Sequence, residues 1–418
     1  MREQYDVTVI GGGPAGLAAA LAAAKAGAST LLVEREARLG GILKQCVHDG
    51  FGLLRFGEKL AGPEYAGRFI AELPSSNVEL ALQTFVDSIR PQGEHFALTL
   101  VSRAGISNVL SKTLLLATGC RERTARQIGV HGTRPAGVFS AGTAQYYTNM
   151  LGKLPAKRCV ILGSGDIGLI MARRLTLEGA QVLGVYEAKS IPSGLPRNIA
   201  QCLEDFDIPL HLQRTVTRVF GHERLEAVEI SAVDAAMRPL PGTQEIIACD
   251  ALILSVGLIP ENELAETLGV ALHPATKGPL CDQNGMTTVP GVFSCGNAAH
   301  VNDLVDYVSE SGEAAGIAAA HYSLRTRQYA AVKAGEGFLY AMPQRIDLSE
   351  PPGEIPLFFR TKEELGATRV RVFAGERQLL EKRYRQLRPP EMERLAVNLT
   401  AAALAPGDAL RLEMEGIV

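Results

Sequence analysis

The sequence predicts an α/β fold: two three-layer units built on parallel sheets, followed by a small antiparallel β module. Three observations predict it. A strand, a glycine-rich turn and a helix recur as a set, at Asp6 to Lys25 and again at Cys159 to Gly179. Each set is closed by a second apolar strand that ends in a glutamate, Glu34 or Glu187. Beyond Ala334 the texture changes to short runs, several alternating apolar and charged residues, split by Gly or Pro. A chain of 418 residues is long enough for two or three such domains.

The first set is "YDVTVIGGGPAGLAAALAAAKAGASTLLVERE". Asp6 to Ile10 is apolar and β-branched, the pattern of a buried parallel strand. Gly11-x-Gly13-x-x-Gly16 then opens an Ala-rich helix. Gly11 allows a tight turn, Gly13 lets backbone approach a pyrophosphate, and Gly16 lets helix and strand pack closely. The free N–H groups of the helix N-terminus face the phosphates. Glu34, closing "STLLVERE", is placed to accept hydrogen bonds from ribose hydroxyls. The competing reading is a glycine-rich turn with no ligand, but strand, glycines, helix, strand and acid all stand in register.

The second set is "RCVILGSGDIGLIMARRLTLEGAQVLGVYEA". Cys159 to Leu162 is the strand, and Gly163-x-Gly165-x-x-Gly168 is the turn, flanked by Asp166 and Ile167. "QVLGVYE" ends at Glu187, whose charge would repel a 2′-phosphate, so NAD(H) is favoured over NADP(H). Arg173 and Arg174 fall inside the helix, too early to clamp that phosphate. A degenerate motif that no longer binds is the alternative. Two such Rossmann-like units imply two nucleotides, one resident and one exchanging, the division that hydride transfer needs.

Composition narrows the classes. With 46% hydrophobic and 21% charged residues and a net charge of -3, nothing points to nucleic acid or an anionic membrane. The run "AGLAAALAAAKAGA" is too short for a membrane span, is broken by Lys25, and lacks a basic segment ahead of it. The cytosol is the expected location. The seven cysteines form no CxxC, which argues against a disulfide framework, a zinc site or an iron–sulfur site. No Gly-x-Ser-x-Gly or HExxH occurs, so hydrolase chemistry has no support.

Between the two sets lies "TLLLATGCRER", and near the far end "VPGVFSCGNAAH". Taken in order, the first set, "ATG", the second set and "GVFSCGN" resemble the two-dinucleotide-binding flavoprotein superfamily (pyridine nucleotide-disulphide oxidoreductase type), over Tyr5 to Tyr322. The resemblance implies FAD at the first turn and NAD(H) at the second, with the NAD domain inserted in the FAD domain. The expected boundaries are 1–120 and 282–333 for FAD, 121–281 for NAD, and 334–418 for the β module. It implies an FAD site of Gly11, Gly13, Pro14, Ala15, Gly16, Glu34, Arg35, Gly41, Ile42, Val86, Thr118, Gly119, Gly296 and Asn297. Gly257, in "LILSVGLIP", would join Gly163, Gly165, Asp166, Ile167, Gly168 and Glu187 at the NAD site. One departure stands out: Gly296-Asn297 occupies the place of the usual Gly-Asp, leaving one charge fewer, although Asn still accepts and also donates. The helix after it, "SESGEAAGIAAAHY", is expected to aim its N-terminus at the flavin pyrimidine.

A narrower resemblance lies in "GGILKQCVHDGFGLLRFGEKLAGPEYAGRF", "RPAGVFSAGTAQ", "SGLPRNIAQCLEDFDIPL" and "HVNDLVDYVSESGEAAG". These segments are similar to the flavoprotein accompanying anaerobic glycerol-3-phosphate dehydrogenase and to the α subunits of dye-linked proline, opine and cyanide-forming glycine dehydrogenases. The resemblance implies a member of a redox complex, with a partner dehydrogenase or iron–sulfur subunit.

Candidate chemistry gathers at "GGILKQCVHDGFG". Cys46 is a small residue beside the flavin, a reactive thiol with its pKa lowered by Lys44 or His48, or half of a redox dithiol. Lys44 would tune the flavin, His48 would carry protons, and Asp49 would touch isoalloxazine or substrate; the alternative for each is a solvated or capping role. In "HVNDLVDYV", His300 and Asp303 are near enough in sequence to pair, with Asp306 following, and contacts behind the flavin are favoured over a metal. Cys295 is expected to fill space behind the ribityl chain and Cys202 to lie on a helix face.

The basic stretch Arg369 to Arg388 in the β module reads as a solvated sheet face, or as a dock for an acidic partner or across a homodimer. The function expected is an FAD-dependent NAD(H) oxidoreductase exchanging electrons with a partner that oxidises glycerol 3-phosphate, an amino acid or an amine. Its rivals are a structural protein that holds nucleotides within a dehydrogenase complex, and a thioredoxin-reductase-like enzyme.

Overall fold

The computed structural model describes residues 2–349, 353–400, 402 and 404–417. The chain forms two units: residues up to Cys120 and from Pro260 onward in the first, Arg121–Ile259 in the second.

The first unit centres on a sheet ordered Val78–Ala81, Thr30–Val33, Gln4–Ile10, Gly105–Leu116, His95–Ser102, Phe85–Gln92, with Val292–Ser294 also on Gly105–Leu116. The long strand Gly105–Leu116 serves two kinds of pairing. Its apolar end pairs in parallel with Gln4–Ile10 and Val292–Ser294, and its alternating start pairs antiparallel with His95–Ser102. Helices Pro14–Lys25 and Val305–Ala320 cover one face. They approach closely because Gly312 and Gly316 lack side chains: a Cβ there would lie 2.2 Å from Ala15 O and 2.3 Å from Ala19 O.

On the other face, Leu264, Ala265 and Leu268 share a core with Leu98 and Val292. The chain is therefore back in the first unit by Pro260, ahead of the boundary at residue 282 expected from sequence. The intervening stretch carries no strand pattern, yet it buries apolar side chains there.

The second unit has a five-stranded parallel sheet, ordered Val138–Ser140, Ala251–Leu254, Arg158–Leu162, Gln181–Glu187, Leu210–Leu212. Helices Ala141–Leu151 and Asp166–Leu177 cover one face, and a four-stranded sheet covers the other, giving three layers.

The C-terminal module begins at Tyr329–Ala334, slightly before the expected boundary. It packs a five-stranded sheet against a three-stranded one around Phe359, Val370, Leu395 and Leu412. Tyr329–Ala334 and Ala409–Gly416 pair in parallel, while the other pairs are antiparallel. The three-stranded sheet is buried on both faces. Ile355, Leu357 and Phe359 point into the sandwich, whereas Tyr340, Met342 and Phe358 pack outward on Cys281 and Ala299. On the five-stranded sheet, Arg371 pairs with Glu415 at 3.1 Å and Glu381 at 3.2 Å, and Arg369 with Glu381 at 3.4 Å. Neighbouring carboxylates in the same module thus match much of the basic stretch. Among the described residues, no helix is long and apolar enough to cross a membrane.

Candidate nucleotide and redox site

The first glycine turn folds as its spacing demands. Gly11 has φ +108°, and a Cβ there would lie 2.4 Å from Ala117 O. At Gly16 a Cβ would lie 1.8 Å from Gly11 O, so only hydrogen fits between helix and turn. A Cβ at Gly13 would meet nothing nearer than Gly41 Cα at 3.8 Å, which leaves that side of the turn open to a ligand. Gly13 caps the helix, Pro14 is its first residue, and Ala15 and Gly16 are buried in the first turn.

Four distant segments converge on this turn. Glu34 is buried and holds two backbone donors: Gly12 N–H at 2.8 Å and Glu36 N–H at 2.8 Å. Gly40 N–H donates to Gly12 O at 2.8 Å, and a Cβ at Gly41 would lie 2.9 Å from Gly13 Cα. Ala117 N–H donates to Ile10 O at 2.9 Å, and Thr118 Oγ1 donates to Glu261 O at 2.6 Å. Gly119, at φ +75°, is open on its side-chain side. A Cβ at Gly296 would lie 2.8 Å from Ala15 Cβ. Val86 turns its side chain into the core, while Arg35 and Ile42 are exposed beside the turn.

Asn297 Oδ1 accepts from Asn302 N–H at 3.0 Å, and its Nδ2 donates towards Cys120 Sγ at 3.6 Å. The Asn302 donor fixes which end of the amide is the carbonyl, and leaves the NH2 group as the donor this residue can offer a ligand. Sequence reasoning placed Asn297 at the site but did not foresee that its carbonyl is already engaged.

The second turn repeats this plan within its own unit. Gly163 has φ +96°, with Ser255 O 2.0 Å from the Cβ position; a Cβ at Gly168 would clash with Gly163 O at 2.7 Å; one at Gly165 would meet nothing nearer than Ser255 Oγ at 3.5 Å. Ser255 N–H donates to Leu162 O at 2.7 Å, as Ala117 does to Ile10. The segments "ATG" and "SVG" thus play equivalent parts, and Gly257 corresponds to Gly119. Gly257 has φ +103° and receives Arg123 N–H at 3.0 Å. Ile167 packs on the helix-side core.

The acid of this turn is more heavily engaged. Glu187 is buried; its Oε2 accepts Ser164 N–H at 3.1 Å, the Ser164 hydroxyl at 2.6 Å and the Ser193 hydroxyl at 3.1 Å, and its Oε1 accepts Lys189 N–H at 3.1 Å. Asp166 Oδ1 accepts Leu195 N–H at 2.8 Å and Asn198 Nδ2 at 2.7 Å, so this carboxylate starts the helix Pro196–Cys202. Ser164, Ser193 and Ser255 were missed from sequence; the serine in the middle of "GSG" and the repeated small-residue-then-Gly ending were the available signals.

At the other candidates the structure changes the chemistry. The Cys46 thiol is buried and donates to Ile42 O at 3.4 Å. Burial pushes its pKa up to about 12, the reverse of a thiolate activated by Lys44 or His48. Lys44 is turned to the Glu36 carboxylate and, at 2.8 Å, to Arg38 O, so it braces the loop after the second strand. His48 Nδ1 lies 3.1 Å from Asp49 O and its ring meets Phe51 at 5.0 Å, while Asp49 pairs with Lys59 at 2.7 Å. None of the seven cysteines, all described, is in a disulfide. Cys202 and Cys295 are buried, as expected of space-filling residues.

His300 and Asp303 diverge. The His300 imidazole is buried against Tyr340 and Phe358, and burial together with Arg360 lowers its pKa to about 4. Asp303 is held by Arg360 and by Met392 N–H at 2.6 Å. Asp306 lies in the first turn of Val305–Ala320 and accepts Arg55 N–H at 3.4 Å. Among the described residues no group of three or more metal-ligating side chains gathers.

The family model for pyridine nucleotide-disulphide oxidoreductases matches residues 5–327. The chain is 26% identical to an opine oxidase subunit of Agrobacterium tumefaciens over 71% of its own length and 62% of the relative's. It is 26% identical to hydrogen cyanide synthase subunit HcnB of Pseudomonas protegens over 65% of its length and 60% of that protein's. It therefore spans about three fifths of these two relatives. Thioredoxin reductase of T. acidophilum superposes with a TM-score of 0.63 at 22% identity, covering 76% of this chain and 98% of that one, a likeness of fold. The chain belongs to the pyridine nucleotide-disulphide oxidoreductase family, whose members use FAD and a pyridine nucleotide.

Proposed function

We propose that this family member holds FAD at the Gly11–Gly16 turn and exchanges NAD(H) at the Gly163–Gly168 turn, passing electrons between them and a partner dehydrogenase or acceptor. The observation that carries the reading is the doubled plan: glycines that clear backbone for a pyrophosphate, each with a buried glutamate behind. The residues present fit a dinucleotide, because a Cβ at Gly13, Gly119 or Gly165 would meet no protein atom nearer than 3.5 Å, which leaves room for a ligand to approach the backbone.

FAD, when bound, supplies the two-electron chemistry, accepting a hydride from NADH or returning one to NAD. The chain supplies binding and orientation. Gly11, Gly13, Pro14, Ala15 and Gly16 form the turn and helix start that face the pyrophosphate with backbone N–H groups, with Gly41 and Ile42 alongside. Glu34 offers its remaining lone pairs to a ribose, and Arg35 lies at the adenosine end. Val86 offers backbone to the adenine, Thr118 and Gly119 close over the nucleotide, and Asn297 donates from its amide after Gly296. In the second unit Gly163, Gly165, Ile167, Gly168 and Gly257 shape the corresponding groove, Asp166 holds its rim, and Glu187 disfavours a 2′-phosphate. Lys44 and His48 act as supports of the flavin-side loop.

The substrate side is proposed as oxidation of glycerol 3-phosphate or of an amino acid or amine by the partner. The likeness to the opine oxidase protein and to HcnB, both named as subunits, supports a partner; glycerol 3-phosphate rests on the sequence resemblance alone. A thioredoxin-reductase-like activity is disfavoured by the buried, high-pKa Cys46 thiol.

Anaerobic titration of the purified protein with NADH and NADPH, followed by flavin absorbance, tests the proposal. NADH should bleach the flavin faster than NADPH, with no gain of two titratable thiols. Bound flavin that NADH leaves oxidised would overturn the hydride-exchange reading in favour of a structural role.

A further inference from the structure

The C-terminal module touches the loop that follows Asn297, and a largely buried arginine, Arg360, makes the widest set of contacts there. Arg360 lies on Glu354–Thr361, on the outward face of the doubly buried three-stranded sheet. Its Nε donates to Tyr340 OH at 3.0 Å and its NH1 to Pro390 O. Its NH2 reaches the loop, to the Asp303 carboxylate and, at 3.4 Å, to Val301 O. Met392 N–H completes the grip on Asp303 at 2.6 Å. Phe358 and Tyr340 lie against the His300 ring at 5.5 and 6.2 Å. Two residues beyond His300, Asn302 donates its N–H to Asn297 Oδ1 at 3.0 Å and its Nδ2 to His300 O at 2.9 Å. Arg394 adds a bond to Glu310, on the helix that follows, at 2.5 Å.

We infer that Arg360 is a positioning residue for FAD: it holds the His300–Asp303 loop, whose Asn302 N–H sets the orientation of the Asn297 amide beside the nucleotide turn. The module is then the outer wall of the flavin site and not an appended dock. Arginine suits the place because one planar fork reaches a hydroxyl, two carbonyls and a carboxylate at once, which an ammonium cannot do. The inference rests on the proposed placement of FAD at the Gly11–Gly16 turn.

The test uses the full chain in four forms: wild type, Arg360→Met, Arg360→Lys and Asp303→Asn, with Arg371→Met as a control on the module's other sheet. Each apoprotein is titrated with FAD, and each holoprotein's flavin midpoint potential and absorption fine structure are recorded. Arg360→Met should weaken FAD binding roughly tenfold or more and shift the potential. Arg360→Lys should recover part of both, Asp303→Asn should follow Arg360→Met less strongly, and Arg371→Met should leave both unchanged. If Arg360→Met fails to fold, Asp303→Asn, which keeps shape and one acceptor, carries the test. Wild-type affinity and potential in a folded Arg360→Met, or in Asp303→Asn where Arg360→Met does not fold, would overturn the inference; so would an equal loss in Arg371→Met. A wild-type chain that does not bind FAD would sink the proposed function instead.

Discussion

In the first unit the Glu34 carboxylate receives two backbone N–H groups, from Gly12 and Glu36. In the second, Glu187 receives the equivalent pair, from Ser164 and Lys189, and adds the hydroxyls of Ser164 and Ser193. Backbone donors are fixed by the fold, whereas hydroxyls rotate and can be given up to water or to a ligand. Glu34 is thus a permanent brace for its turn. Glu187 is a brace whose extra partners can change, the property wanted where a nucleotide comes and goes. The same motif, compared one residue at a time, fits the proposed division into a resident ligand in one unit and an exchanging one in the other.

The strongest way to break that comparison is to fill the turns. In Gly16→Ala the new methyl would lie 1.8 Å from Gly11 O, and in Gly168→Ala 2.7 Å from Gly163 O. Gly16→Ala should lose FAD altogether and cost about 3 kcal/mol or more of stability. Gly168→Ala should keep FAD and lose reduction by NADH. Flavin content and thermal unfolding read both, and loss of FAD from both variants alike would erase the distinction.

Acid sharpens it next, because His300 belongs to the first unit. Its folded pKa is about 4 against an ordinary 6.5. The unfolded chain therefore takes up this proton first. The stability involved is fully present above about 6.5 and is lost as pH falls towards 4, on the order of 3 kcal/mol. Asp282, raised to about 6 by burial, works the other way: its contribution is present at low pH and lost as pH rises through about 6. Wild type reports their sum, so His300→Phe isolates the imidazole. Between pH 7 and 4.5 the urea midpoint of wild type should fall relative to that of His300→Phe. A difference that does not move with pH would contradict the assignment.

Smaller effects separate the two acids. Glu34→Gln keeps one carbonyl acceptor and strands one of its two backbone N–H donors, at a cost of about 1–3 kcal/mol where that is the buried Gly12 N–H, seen as easier release of FAD on dialysis. Glu187→Gln should leave FAD in place, raise KM for NADH and narrow the preference over NADPH. The mildest change is Ser193→Ala, which removes one hydroxyl from Glu187. It should alter KM for NADH by roughly two- to tenfold with flavin content unchanged. A loss of FAD in either second-unit variant would mean that the two turns are not independent.

Much of this architecture is legible in the chain. Gly11 and Gly13 lie in the tight turn between strand and helix and Gly16 in the helix's first turn, so the need for backbone clearance makes their places legible, and Glu34 follows from the strand that must come next. The end of the strand Gly105–Leu116 was also legible, because its apolar run stops at "ATG". The return at Pro260 was not, since residues 264–268 bury their side chains without a strand pattern. Cys46 could be read as a reactive thiol only while its burial was unknown, and desolvation reverses that reading. Lys44, beside Cys46 in sequence, turns to Glu36 instead. His300 and Asp303 are near in sequence yet face different partners, aromatic rings on one side and Arg360 on the other.

By itself the sequence determined the local rules: which backbone positions must be glycine, which strands are buried, where each acid closes its strand, and that the glycine turn occurs twice. Those follow from interactions spanning a few residues. Only the tertiary structure decided what each polar group does. Asn297 owes its orientation to Asn302, Asp303 owes its partner to an arginine 57 residues away, and Cys46 owes its raised pKa to the side chains that bury it. Hydrogen-bond partners and desolvation are properties of neighbours in space, and in this chain the decisive neighbours come from distant segments.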